Sequence, residues 1–86
     1  MSNRHRRTLE AVFRDPVSAT IVWADVERML LHYGAEIEEG RGSRIKVLLR
    51  KQRAAFHRPH PQKEARERQI RAVRQLLTDA EITPWA

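Results

Sequence analysis

The chain contains no cysteine, which removes disulfide stapling, thiolate metal sites and a cysteine nucleophile together. Stability must come from packing alone, and the composition suits a reducing cytoplasm. Long apolar runs are missing as well. The longest stretch, Ile21-Val22-Trp23-Ala24, has four residues, far short of the roughly 20 that a membrane helix needs. The basic start Asn3-Arg4-His5-Arg6-Arg7 is not followed by the apolar segment of a secretory signal. Neither export nor membrane spanning is expected. No internal repeat or low-complexity tract is present, so the 86 residues read as one domain near the lower limit for a self-sufficient core. Residues 21–83 form its core, and residues 1–20 supply an accessory helix and connector.

Acidic residues are scarce in one segment only. From Arg41 to Arg74 twelve Lys and Arg, mostly Arg, stand against Glu64 and Glu67, whereas Met1–Gly40 has five Arg against seven acids. The net charge of +6 is therefore concentrated in the middle of the chain. Such a patch attracts a polyanion by counterion release, and Arg adds bidentate phosphate contacts and base stacking. A solvated helix face is the plainer explanation of the same charges. With 41% hydrophobic and 33% charged residues, the chain is expected to fold and stay soluble.

Periodicity supplies the elements. Leu9, Val12 and Phe13 follow a Ser2 or Asn3 cap at helical spacing, predicting a first helix to Arg14, ended by Asp15-Pro16. After a connector, Val22, Val26, Met29 and Tyr33, with Trp23 and Leu30 alongside, mark a second helix that Gly34 closes as a left-handed cap. Ala35–Glu38 and Arg44–Val47 alternate apolar with charged residues around Gly40-Arg41-Gly42, predicting a hairpin with one buried face. Ala54–His57 adds a third antiparallel strand, stopped by Pro59 and Pro61. Ile70, Val73, Leu77 and Ala80 line a basic helix from about Ala65 to Thr78. The expected class is α+β, in the order ααβββα.

These residues carry a resemblance. Trp23-Ala24-Asp25-Val26-Glu27, Gly34-Ala35, Gly42-Ser43-Arg44, Phe56-His57-Arg58-Pro59-His60-Pro61 and Lys63-Glu64 resemble the HicA family of toxins over roughly Trp23 to Thr83. The resemblance implies a fold similar to double-stranded-RNA-binding domains, αβββα with a three-stranded antiparallel sheet, here with an extra N-terminal helix. It also implies a toxin of a two-component toxin–antitoxin system, an endoribonuclease that cuts messenger RNA and is silenced by a HicB-like antitoxin. The sequence departs from the family at one position. Members carry a catalytic histidine directly after Gly-Ser, where this chain has Arg44.

Metal-free RNA cleavage needs a base for the 2′-OH proton and an acid for the leaving 5′-oxygen. A guanidinium serves as neither, so Arg44 is suited to phosphate binding or to stabilising charge on the transferring phosphoryl group. If Ile45, Val47 and Phe56 point inward, Arg44, Lys46 and His57 share the opposite, open face. His57 is thus one candidate for proton transfer. His60, between Pro59 and Pro61 and aligned with a histidine common in the family, is the other. Arg41, Ser43, Arg44, Lys46, Arg53, Arg58, Lys63 and Arg66 are the candidate RNA contacts. The plainer reading of His57 is a structural or RNA-contacting side chain.

His57-x-x-His60 lacks helical spacing and a completing ligand, so no metal site and no small-molecule cofactor are expected. His5 and His32 read as surface residues without chemistry. Trp23 belongs to the core, while Trp85 either folds back or serves a partner. Leu48 falls on the open face beside cations, a surface that an acidic antitoxin could cover. The expected partners are RNA and that antitoxin. A non-catalytic RNA-binding or antitoxin-binding domain is the competing reading, and DNA binding by the last helix a weaker third.

Overall fold

The computed structural model describes residues 3–85. Its elements are α1 (Arg4–Val12), α2 (Trp23–His32), β1 (Glu36–Glu39), β2 (Arg44–Leu49), β3 (Gln52–His57) and α3 (Glu67–Asp79). The strands form one antiparallel sheet in the order β1-β2-β3, so the α+β class, the element order and the likeness to the αβββα fold all hold. The burial pattern of β2 alternates from Arg44 to Val47 as its charged and apolar residues do. Ile45, Val47, Leu49 and Phe56 join Val26, Met29 and Leu30 of α2 and Ile70, Val73 and Leu77 of α3 in one core cluster. Fully burying each such side chain contributes about 1.5–3 kcal/mol. No polar or charged residue is buried among the described residues, so this core bears no desolvation penalty from unpaired charge.

The helix ends show what a sequence pattern misses. Gly34, at φ +103, ends α2 as expected, and the Ala35 amide donates to the Leu30 carbonyl at 2.9 Å. The end of α3 repeats this arrangement without glycine. Glu81 has φ 62, and the Ile82 amide donates to Leu77 at 2.9 Å. Arg50, left-handed in the β2–β3 turn, reaches this end and donates to the Ala80 carbonyl at 2.7 Å, placing a cation at the negative end of the helix.

The connector before α2 is more ordered than its composition predicts. The Trp23 amide donates to Lys63 at 2.9 Å and the Ala65 amide to Ile21 at 2.8 Å, with Val22 and Glu64 as antiparallel partners. Ala65 is therefore held in an extended bridge, and α3 begins at Glu67 instead of at Ala65.

Helix α1 ends at Val12, two residues before Arg14. Asn3 occupies the cap position without a side-chain bond, and Ser2 lies outside the described residues. Although accessory in sequence, α1 is part of the core through Leu9 and Val12. Arg74 of α3 fastens its C-terminal end, donating to the carbonyls of Val12 at 3.0 Å and Arg14 at 3.0 Å and to Asp15 at 3.2 Å. His5 and His32, read as surface residues without chemistry, stack on each other with ring centroids 4.4 Å apart. The C-terminal tail folds back, as one of the two expectations for Trp85 had it. Arg6 donates to the Pro84 carbonyl at 2.6 Å, and Trp85 meets Phe13 edge-on at 5.1 Å.

Candidate nucleic-acid interface

The helices cover one face of the sheet, so alternation in β2 and β3 delivers the polar set to the other. Arg44, Lys46, Arg53 and His57 are all exposed, and the register makes Arg44 the direct cross-strand partner of His57. One position further along, the Arg58 amide donates to the Ser43 carbonyl at 2.8 Å. Ser43 and Arg58 are thus a hydrogen-bonded pair. In an antiparallel ladder the next pair, Arg44 and His57, is then the closer, non-hydrogen-bonded kind, with Cβ atoms about 5 Å apart.

The open face is not uniformly basic. Glu36 pairs with Leu48 and Glu38 with Lys46, so β1 sets two carboxylates on the surface that Lys46 and Arg53 share. The Arg44–His57 end is opposed by no strand carboxylate, because β1 stops at Glu39 opposite Ile45. This division was absent from the sequence reading, which treated Arg41–Arg74 apart from the acids of β1.

Pleating separates His57 from its neighbour. Arg58 turns to the helix side, where its Nε and Nη2 donate to Glu27 at 2.8 and 3.0 Å and its Nη1 and Nη2 donate to Glu39, both at 2.7 Å. Hydrogen bonds donated to Glu27 and then to Glu39 push its pKa further up, and the bonds to Glu39 hold that carboxyl below its ordinary value. Glu27 also accepts from the Trp23 indole. Arg58 was expected to meet the RNA backbone. Its guanidinium is instead engaged by two carboxylates, and it joins α2, β1 and the segment after β3.

The remaining candidates lie on turns and at the start of α3. Arg41 and Ser43 are exposed in the β1–β2 turn, and His60, Lys63 and Arg66 are exposed between β3 and α3. Arg66 caps α3, with Nη2 3.3 Å from Gln62 Oε1. Gln69, which the sequence reading missed, ties these parts together. Its amide nitrogen donates to the His57 carbonyl at 2.6 Å and its oxygen accepts from the Arg66 amide at 2.7 Å. Only this half of a capping box can form, because a guanidinium has no acceptor to offer in return. The spacing Arg66-x-x-Gln69 ahead of an apolar run was the available signal. Gln69 thereby fixes the His57 end of β3 against the start of α3.

Chemically, the arrangement offers two exposed imidazoles, a cation directly beside one of them, and further cations around the same end. Among the described residues no group of three or more His, Asp or Glu side chains is arranged to hold a metal ion. No helix is long and apolar enough to cross a membrane among those residues.

Comparison with known proteins gives one result at the level of families. A family model described as HicA toxin of bacterial toxin-antitoxin matches residues 23–82. No curated protein and no solved structure matches the chain. The matched span begins with α2 and runs past the end of α3, leaving out α1 and the tail that packs on it. On that span, which covers well over half of its length and contains the whole sheet, the chain belongs to the HicA toxin family.

Proposed function

We propose that this chain is a metal-independent endoribonuclease toxin that cuts messenger RNA in the cytoplasm and is neutralised by a HicB-like antitoxin. The direct pairing of Arg44 with His57 carries this proposal. Where the family's catalytic histidine is replaced by arginine, a histidine stands directly opposite on the neighbouring strand, the Cβ atoms of such a pair being about 5 Å apart.

In this scheme His57 takes the proton from a 2′-OH, whose oxygen attacks the adjacent phosphorus. The P–O5′ bond breaks, His60 protonates the leaving 5′-oxygen, and the products are a 2′,3′-cyclic phosphate and a 5′-OH end. Arg44 stabilises the charge on the phosphoryl oxygens as the new bond forms. Arg41, Lys63 and Arg66 hold the flanking backbone, and Gln69 keeps the His57 end of β3 in register with them. An acidic antitoxin laid over Arg44, Arg53 and the half-buried Leu48 would block the same face.

The test is incubation of the full chain with single-stranded RNA in excess chelator. Cleavage to cyclic-phosphate ends is expected, and a His57→Ala, His60→Ala double variant should leave the RNA intact. Intact RNA with the wild-type chain, despite salt-dependent binding, would instead identify a non-catalytic RNA-binding domain, the role that Arg44 at the histidine position favours. Undiminished cutting by the double variant would refute the assigned roles.

A further inference from the structure

Outside the span matched by the family lies a second basic element with an aromatic beside it. Within residues 3–14, Arg4, Arg6, Arg7 and Arg14 stand against Glu10 alone, a local excess hidden in the acidic N-terminal half. Arg7 and Arg14 are both exposed; Arg7 lies on α1 directly after Arg6, and Arg14 lies just past the helix end directly after Phe13, its amide donating to the Ala11 carbonyl at 3.2 Å. Neither has a carboxylate partner among the described residues.

Trp85 belongs to a tail that lies against Arg6 and Phe13, the residues that directly precede these two cations. It is 73% exposed, yet it is held in place by its contact with Phe13, at an interplanar angle of 82°, and by the Arg6 bond to Pro84. An edge-to-face contact covers at most one face of the indole, so at least one face is open to solvent. Leu31, the other exposed large apolar residue, adjoins His32, which meets the opposite end of α1. The two do not merge into an apolar patch of the size a protein interface uses.

We infer that α1 and the tail form a second nucleic-acid contact, in which an unpaired RNA base stacks on Trp85 while Arg7 and Arg14 hold the flanking phosphates. One fixed aromatic, anchored by Arg6 and Phe13 whose next residues in the chain are the exposed cations Arg7 and Arg14, suits single-stranded RNA, since stacking and phosphate contact need no apolar surround. A duplex keeps its bases stacked on one another and cannot offer one to Trp85. The inference goes beyond the proposed cleavage, as it concerns a surface formed by α1 and the tail.

The probe is a single-stranded oligouridylate with 2′-O-methyl groups, which binds but has no nucleophile and so is not cut. Titrated into the full chain, it should quench the emission of Trp85, with Trp23 shielded in the core. A duplex of the same chemistry should not. Trp85→Ala should weaken binding roughly tenfold, and an Arg7→Gln, Arg14→Gln double variant should reduce the salt slope of log K by about 1.4. The double variant keeps the test decisive if Trp85→Ala perturbs the tail. Unchanged affinity and slope in both variants would overturn the inference, as would quenching by duplex and single strand alike. Cleavage at the sheet, measured separately on unmodified RNA, would stand or fall independently, whereas no RNA binding by the wild-type chain would sink both.

Discussion

Arg44 and His57 face each other on β2 and β3 as a pair without mutual backbone bonds, because the Arg58 amide is bonded to Ser43 one position along. In that kind of pair the side chains rise side by side from the sheet. A bound phosphate can therefore meet the guanidinium while the adjacent ribose meets the imidazole. The proposed cleavage uses the position of the family's histidine and its neighbour across the ladder as one unit.

If Arg44 stabilises charge that develops during cleavage, its loss should fall on kcat more than on KM. Arg44→Ala is expected to lower kcat/KM for RNA cleavage on the order of 100-fold. Arg44→Lys should recover only part of it, since an ammonium lacks the planar fork. Single-turnover cleavage of a labelled RNA decides the matter, and an effect confined to KM would make Arg44 a binding residue only.

The Arg58 clamp is expected to stabilise the fold more through one arm than the other. Arg58 is 35% exposed in its side chain, Glu27 17% and Glu39 64%, so the Glu27 arm is better shielded from water. Glu27→Gln should cost about 2 kcal/mol and Glu39→Gln much less. Arg58→Met should lower stability without changing the salt slope of RNA binding. Urea denaturation gives the order of the costs, and a larger loss at Glu39 would contradict it.

Acid should weaken the same clamp. The hydrogen bonds from Arg58 hold the Glu39 carboxyl below its usual value of 4.5, so the unfolded chain binds this proton more readily than the folded one. The Glu39 contribution is therefore complete above about pH 4.5 and is lost as the pH falls through the lower folded value. Between pH 5 and pH 3 the urea midpoint of the wild type should fall more steeply than that of Glu39→Gln. Parallel curves would remove Glu39 from the acid response.

Glu81 marks a place where the fold is not at its optimum. It takes a left-handed conformation just after α3, which strains any residue with a Cβ, and its carboxylate lies near the negative helix end. Glu81→Gly should stabilise by about 1 kcal/mol, raising Tm by roughly 4–8 °C. A lower Tm on thermal denaturation would show that the Glu81 side chain makes a contribution outweighing this strain.

Within one element, the residues themselves determined a great deal. Helical spacing of Val26, Met29 and Leu30, the glycine at position 34 and the alternation of Arg44–Val47 each set local structure through short-range sterics and solvation. They also foretold that His57 would lie on the open face. The ordered residues around Gly42-Ser43 and Phe56–Pro61 carried the family likeness, and with it the class of fold. Contacts between distant positions left no such periodic trace.

Arg58 looked like its neighbours in a basic run, and only the meeting of α2 with the end of β1 brought Glu27 and Glu39 to it. Arg74 was one more cation on a basic helix until α1 offered it carbonyls, and Gln69 was one more polar residue until β3 ended beside it. Charge along the chain was thus legible, but which cations are free was not. Local sequence encodes the direction in which a side chain leaves its strand or helix, whereas the partner it finds depends on which elements pack together, and that only the tertiary structure decided.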